Sequence, residues 1–340
     1  MTKRSHSITI RDVAQKAGVS VATVSRFINH NAPISDEIGI RLQSVMDELG
    51  YVPLEAARHL ATHKTGLIGL LSFTVEYGFF GPLVAGLEEA MKENGYNLLI
   101  ATYSPECKKD EIAPPVGPHN TDGVVVFSDT LSEAQLAEWY RMQFPVVLIY
   151  RTSPASLPIP CVNVENKKSA YKLVEHLIEA HDRRRIVFVR APGCQEDAHW
   201  REMGYKAALK DHSIAFDPKL IVDGKYDRRL ARETMKAFLV NHPPRFDAVF
   251  AGDDDLAVSV VSALQEAGLQ VPCDVAVVGF DDQRFASLLV PSLTTIHAPT
   301  ENVGRMAGQQ MLKILHGQPV DQRVVLPTGL VIRQSCGCAI

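Results

Sequence analysis

The chain contains no uninterrupted apolar run of about 18 residues, the length a membrane-crossing helix needs, so no span is expected. Its first residues, Met1-Thr2-Lys3-Arg4-Ser5-His6-Ser7, lead into no apolar h-region, so no secretory leader is expected and the protein reads as cytoplasmic. The six cysteines (Cys107, Cys161, Cys194, Cys273, Cys336 and Cys338) are scattered and form no C-x-x-C pair. That spacing suits neither a disulfide scaffold nor a compact zinc module. Cys336-Gly337-Cys338 is close enough to bind a metal or form a redox pair, but reduced, structurally neutral thiols are the expectation. No metal site and no cofactor are expected. Also missing are G-x-x-x-x-G-K-[ST], H-E-x-x-H and G-x-S-x-G, and no recognisable spaced set of histidines and acids replaces them. The chain is therefore not expected to be an enzyme.

What is present is an ordinary globular composition: 340 residues, 46% hydrophobic and 22% charged. That length calls for two or three domains with a sizeable core. Net charge is only −4, but it is unevenly spread. Residues 1–30 hold Lys3, Arg4, Arg11, Lys16 and Arg26 against Asp12 alone, a net +4 that leaves −8 for the rest. A basic end on an acidic body is the asymmetry of a small DNA-gripping unit.

Residues 8–50 read as three short helices. Thr9 with Asp12 makes a capping-box-like start, and Gly18 permits a turn after Ala17. Ser20 caps a second helix with Val21, Val24, Phe27 and Ile28 at helical spacing. Ser35 caps a third, where Ile38, Leu42, Val45 and Leu49 face inward and Gly50 stops it. Two helices joined by a tight glycine-containing turn, closed by a third, form the helix-turn-helix pattern.

From Gly66 the texture changes. Short apolar runs at Leu67–Phe73, Tyr96–Ala101, Gly123–Phe127, Val146–Tyr150, Arg185–Arg190, Ala248–Ala251 and Val275–Val278 read as strands. Between them lie amphipathic stretches at Pro82–Asn94, Lys168–Ala180, Arg201–Lys210, Arg228–Asn241 and Leu256–Ala267. This alternation predicts an α/β core of two doubly wound parallel-sheet lobes. Ligands in such folds sit beyond the C-terminal ends of the strands, so two facing lobes would enclose a cleft there. Pro105, Pro114, Pro115 and Pro118 argue against a long helix in 103–121.

The segment Ile8-Thr9-Ile10-Arg11-Asp12-Val13-Ala14-Gln15-Lys16-Ala17-Gly18-Val19-Ser20-Val21-Ala22-Thr23-Val24-Ser25-Arg26-Phe27-Ile28-Asn29 resembles the signature of the lactose-repressor (LacI/GalR) family. The likeness continues in order through Val162–Asn166, His181–Ile186, Arg201–Tyr205, Ala248–Asp254, Val275–Asp282 and Pro291–Ile296. It implies a bacterial transcription regulator, a repressor, with a periplasmic-binding-protein-like core. The expected domains are 1–50 for the helix-turn-helix, 51–65 for a hinge, and 66–340 for the effector core. Within the core, 66–161 and 296–324 would form the first lobe, and 162–295 and 325–340 the second. Glu165 and Asp253 stand where the family usually has Asp and Asn, and the proline-rich 103–121 stands where it usually has a helix.

The resemblance assigns Val21 and Ala22, at the start of the recognition helix, to sequence choice in the major groove. Both are apolar and suit thymine methyl contact. Arg26 can reach a guanine edge or a phosphate, and Thr9, Ser20, Thr23, Ser25 and Asn29 can donate to phosphates. The hinge is similar to Leu54–Ala61, where Ala57 and Leu60 match and Leu60 would wedge into the minor groove. For the effector, the matching positions are Arg201, Asp253 and Asp281. Phe79, Phe80, Arg151 and Trp200 are further candidates. Carboxylates and a guanidinium suit a neutral sugar. A nucleoside or purine stacked on Phe79, Phe80 or Trp200, or a sugar phosphate, is the alternative. A sugar-binding transport protein would share the two-lobed fold without the helix-turn-helix. The expected partners are pseudo-palindromic operator DNA, a small effector and a second copy, since no leucine heptads follow the core.

Overall fold

The computed structural model describes residues 8–29, 33–51, 64–75, 78–103, 113–190, 195–224, 228–241 and 246–338. Two compact units divide between Thr65 and Gly66.

The first unit holds α1 (Ile10–Ala17), α2 (Val21–Asn29) and α3 (Asp36–Leu49). Both the backbone N–H and the hydroxyl of Thr9 donate to Asp12 Oδ2 at 2.7 Å, fixing the start of α1. Gly18 adopts the left-handed conformation at φ 65°, which lets the chain leave α1 and turn into α2. Thr23 N donates to Ser20 Oγ at 3.1 Å, the N-cap expected there. Val13, Ala14, Ala17, Val24, Leu42 and Met46 form the core, with Phe27, Ile38, Val45 and Leu49 packed around it.

The second unit contains two parallel sheets. One runs β11 (Arg323–Leu326), β5 (Cys161–Val164), β4 (Val146–Ile149), β3 (Gly123–Phe127), β1 (Leu67–Ser72), β2 (Asn97–Thr102). The other runs β7 (Ile221–Asp223), β6 (Ile186–Arg190), β8 (Ala248–Ala251), β9 (Ala276–Val278). A short antiparallel ribbon pairs β10 (Thr295–His297) with β12 (Gly329–Val331). Successive residues of a strand face opposite sides, and both sides are covered here. Val125 and Phe127 join one core cluster while Val124 and Val126 join another. In β6, Val187 and Val189 face one side, and Ile186 and Phe188 the other. Burial on both faces is why these strands are nearly all apolar.

Connecting helices are α4 (Phe80–Lys92), α5 (Glu133–Arg141), α6 (Lys167–His181), α7 (Glu196–Asp211), α8 (Arg228–Asn241), α9 (Asp254–Glu266) and α10 (Thr300–Leu315). Helices α4 and α10 meet across Gly86 and Gly304, where a Cβ would collide with Glu301 O and Leu83 O respectively. The proline-rich connection carries no helix in its described part, residues 113–122. There Val116 and Gly117 are buried instead.

The approximate lobe bounds fall near strand ends. The anticipated cuts at 161/162 and 324/325 fall inside β5 and β11, which pair with each other in the first sheet. The chain leaves that sheet after Val164 and Leu326. The anticipated return at 296 falls inside β10, whose neighbour Thr294 bridges to Val278 of the second sheet. Strands of three or four residues carry too short a pattern to place such cuts from sequence.

Candidate functional site

In the first unit, the face of α2 turned away from the core carries the candidate DNA-reading residues. Val21 is 42% exposed, and Ala22 and Arg26 are exposed with it. Val24 is fully buried and Phe27 half-buried, so the core needs no contribution from Val21. Thr23 and Ser25 are half-buried. The Ser20 hydroxyl is shared between Thr23 N and Thr23 Oγ1. Thr9 holds its hydroxyl on Asp12. Asn29 is the last residue of α2. Lys16 is ion-paired with Glu48 at 2.6 Å, so its charge is partly spent inside the unit. The exposed cations that remain on these helices include Arg11 and Arg26. Ala57, Leu60 and the whole 54–61 hinge lie outside the described residues.

In the second unit, four of the described non-glycine residues with positive φ follow parallel strands at their C-terminal edges. They are Ser128 (47°) after β3, Tyr150 (57°) after β4, and Asp281 (105°) and Asp282 (54°) beyond β9. Each such conformation costs about 1–3 kcal/mol and persists only where the surroundings impose it, which is a mark of functional edges. Asp281 is held by Asp281 N donating to Ile296 O at 2.8 Å.

Around Asp281 lies a connected polar network. Arg201, on α7, donates from Nε to Asn166 Oδ1 at 2.8 Å, from one terminal nitrogen to Gly252 O at 2.5 Å, and from the other to Asp281 Oδ1 at 3.2 Å. Its guanidinium lies 3.7 Å over the centre of the Phe280 ring. Asn166 in turn donates to Asp197 Oδ1 at 2.7 Å. One cation therefore serves several acids. Burial pushes Asp281 up to about 7 and Asp253 and Asp197 to about 6; Arg201 opposes the rise, and neighbouring carboxylates reinforce it.

A cavity of about 420 Å³ opens between Phe79 and Pro82 of the first lobe and Asp281, Gln283 and His297 of the second. Phe79 packs at 5.1 Å from the Tyr150 ring. The Tyr150 hydroxyl is buried and makes no well-formed hydrogen bond among the described residues. Burial, with Asp197 and Asp281 nearby, pushes that phenol well above its ordinary value, while the Thr300 side chain and Arg201 oppose the rise, so it stays a donor. A buried hydroxyl without a full partner costs about 1–3 kcal/mol.

The structure thus brings Phe79, Arg201 and Asp281 together, and sorts the other candidates differently. Phe80 is 4% exposed and belongs to the core under α4, because it opens the helix on its inward face. Arg151 is also buried. It donates to Leu131 O at 2.7 Å and pairs with Asp129, so it is committed to the first lobe's own loop. Trp200, on α7, donates to Glu196 Oε1 at 2.9 Å. Glu196 also accepts from Thr152 N and Thr152 Oγ1, linking the lobes. Asp253 caps α9 through Leu256 N at 2.7 Å and is also held by the Asp255 backbone. Asp254, its neighbour, is fully buried and holds Gln283 N and Thr295 Oγ1. It is a structural acid and not a ligand acceptor. Sequence reasoning missed Tyr150, Asn166 and Asp197. Asn166 lay within a quoted family segment, whereas Tyr150 is marked only by its place at a strand end.

A helix-turn-helix unit and a two-lobed binding unit in one chain define a DNA-binding transcription regulator. Residues 9–53 match the bacterial regulatory proteins of the lacI family, and residues 174–336 match the periplasmic binding protein-like domain. The chain is 31% identical over 329 residues to the ribose operon repressor of Halalkalibacterium halodurans, covering 96% of each. It is 29% identical over 332 residues to catabolite control protein A of Priestia megaterium, covering 97% of this chain and 99% of that protein. Among solved structures, a complex of the transcriptional regulator CelR with cellobiose superposes with a TM-score of 0.71 at 26% identity, covering 96% and 99%. The lac repressor dimer bound to operator and an anti-inducer superposes with a TM-score of 0.78 at 24% identity, covering 97% and 99%. The chain belongs to the LacI family. Its relatives are regulators and not enzymes, in line with the missing catalytic motifs. No helix among the described residues is long and apolar enough to cross a membrane.

Proposed function

We propose that the protein is a cytoplasmic repressor that binds a pseudo-palindromic operator as a homodimer and releases or grips it according to a neutral sugar held at the cleft. The observation that carries the sugar is the cleft's chemistry. Asp281 supplies acceptors, Arg201 retains N–H groups beyond the three it has spent, and Tyr150 offers a donor beside the Phe79 ring. Alternating donors and acceptors on an aromatic wall suit vicinal hydroxyls. Several carboxylates around the Arg201 guanidinium disfavour a phosphorylated sugar, and Arg151, committed to Leu131 and Asp129, does not offset them; the basic side chains on the cavity wall are Arg284 and His297. Relatives named for ribose and cellobiose support the same class. A nucleoside stacked on Phe79 is the alternative reading.

A thermal-shift panel of sugars, sugar phosphates and nucleosides tests the class. A ligand at ~100 times its dissociation constant stabilises by roughly 2.7 kcal/mol. A neutral sugar should raise the melting temperature, and the shift should vanish in Arg201→Ala and Asp281→Ala. A shift from nucleosides or phosphates alone overturns the assignment. Effector and operator must also change each other's affinity by one shared factor. Operator titrations with and without the sugar measure that factor, and a value of one refutes the control.

A further inference from the structure

Four metal-ligating side chains converge in the second lobe, away from the cleft. His176 and His181 lie on the last turns of α6, and Cys336 and Cys338 lie in the C-terminal tail. One ligand atom from each falls within 4.8 Å of all the others. Cys338 Sγ is 3.3 Å from His181 Nε2 and 3.8 Å from His176 Nε2, and the two imidazole rings stand nearly perpendicular at 83°. His181 ends its helix shortly before Ile186 opens β6, so the cluster sits at the N-terminal edge of the second sheet. The effector cleft lies at the opposite edge.

We propose that His176, His181, Cys336 and Cys338 bind one zinc ion in a closed tetrahedral site. With Zn–S near 2.3 Å and Zn–N near 2.0–2.1 Å, tetrahedral sulfur and nitrogen ligands stand about 3.5 Å apart. The two sulfur–nitrogen separations at Cys338 bracket that value, and the remaining pairs lie within 4.8 Å, so side-chain adjustments of about an ångström would complete it. Cys₂His₂ is a structural donor set with no open position, and its mixed thiolate and imidazole character selects zinc over magnesium or calcium.

Two further features fit. Gly337 sits at φ 110°, and a Cβ there would press on His181 Nδ1 at 3.2 Å. Glycine at this position therefore lets the tail turn so that both sulfurs approach the same imidazole pair. Thr294 Oγ1 shares its proton between Arg333 O at 3.0 Å and Cys336 Sγ at 3.1 Å, and the latter is the outer-shell hydrogen bond that a metal-bound thiolate uses. On binding, both sulfurs coordinate as thiolates and their protons leave to solvent. The ion would clamp the tail to α6. The same tail carries Ser335, which donates to Val277 O, and Arg333, which pairs with Asp282 beside Asp281.

The test uses the full chain, purified under reducing conditions and stripped with chelator. Added zinc should be retained at one ion per chain, measured by elemental mass spectrometry after desalting. Cobalt(II) should give sulfur-to-metal charge-transfer absorption with the intense ligand-field bands of a tetrahedral centre, and zinc should erase them. Cys338→Ser and His181→Gln, both at half-buried positions, should weaken zinc by more than the roughly 10- to 100-fold that loss of an outer-shell partner costs. His212→Gln should leave binding unchanged, since Glu175, Glu179 and His212 form a separate, sulfur-free group. Should a variant fail to fold, the cobalt spectrum of the unaltered chain decides alone. Retention well below one ion per chain, a cobalt spectrum without sulfur bands, or a Cys336–Cys338 disulfide in the reduced preparation overturns the site.

Discussion

Arg201 and Asp281 meet at 3.2 Å with side chains only 7% and 9% exposed, and the guanidinium reaches Asn166 and Gly252 from the same position. The pair joins α7 to the loop beyond β9 and puts a charged, hydrogen-bonded centre at the C-terminal edge of the second sheet. Removing one member of a buried pair strands the other, at about 3–5 kcal/mol. Arg201→Ala should therefore destabilise the second unit by roughly 3 kcal/mol. Asp281→Asn, which keeps an acceptor, should cost less. Denaturant unfolding of the two variants and the double variant measures this, and additive losses would show that the pair is not coupled.

The same pair sets a pH dependence. Burial raises Asp281 to about 7 in the folded chain, well above the ordinary carboxylate value expected when unfolded. Between those values the folded state holds the proton more tightly, so the contribution of Asp281 is fully present below the unfolded pKa and declines as pH rises to about 7. Asn cannot titrate. The melting temperature of Asp281→Asn relative to the unaltered protein should thus improve steadily from pH 5 to pH 7.5. A constant difference across that range would remove the carboxylate's burial as its cause.

Tyr150 gives a prediction with opposite signs for stability and binding. Its buried hydroxyl makes no well-formed hydrogen bond among the described residues. Tyr150→Phe removes an unsatisfied group worth about 1–3 kcal/mol, so the free protein should be as stable or more stable. Sugar binding should weaken at the same time, because the ligand loses that donor. Calorimetric titration beside thermal melts checks both, and a destabilised variant would mean the hydroxyl already has a partner.

On the first unit, Ser20 and Arg26 should separate folding from recognition. Ser20→Ala deletes the acceptor for Thr23 N and should lower that unit's stability by ~1 kcal/mol. Arg26→Ala should leave stability within about 0.5 kcal/mol, since the side chain is exposed. Its operator affinity should fall by about 1–3 kcal/mol with relaxed sequence preference if it reads guanine. A uniform loss with a shallower salt slope would place Arg26 on phosphate instead. Unchanged affinity would exclude it from the interface.

Much of this architecture was legible in local pattern. Gly18 and the Thr9 and Ser20 caps act within three or four residues, so α1 and α2 could be placed before any packing was known. β3, β8 and α8 were read to their observed ends, because apolar runs bounded by turn residues need no distant partner to be recognised. The motifs running from Arg201 to Asp281 likewise contain two members of the buried polar network. Other features depended on the tertiary structure. β5, β10, β11 and β12 are strands of three or four residues whose identity comes from the neighbours they pair with. Phe79 and Phe80 are adjacent and chemically identical, yet helix geometry sends one to the cavity and the other to the core. Arg151 is as cationic as Arg201, but its neighbours Leu131 and Asp129 consume it. His176 and His181 are brought to Cys336 and Cys338 by the return of the tail against α6, a proximity that no sequence spacing encodes. Local chemistry determined which elements form and which residues carry charge; only the folding of distant segments onto one another decided which of those charges and thiols share a site.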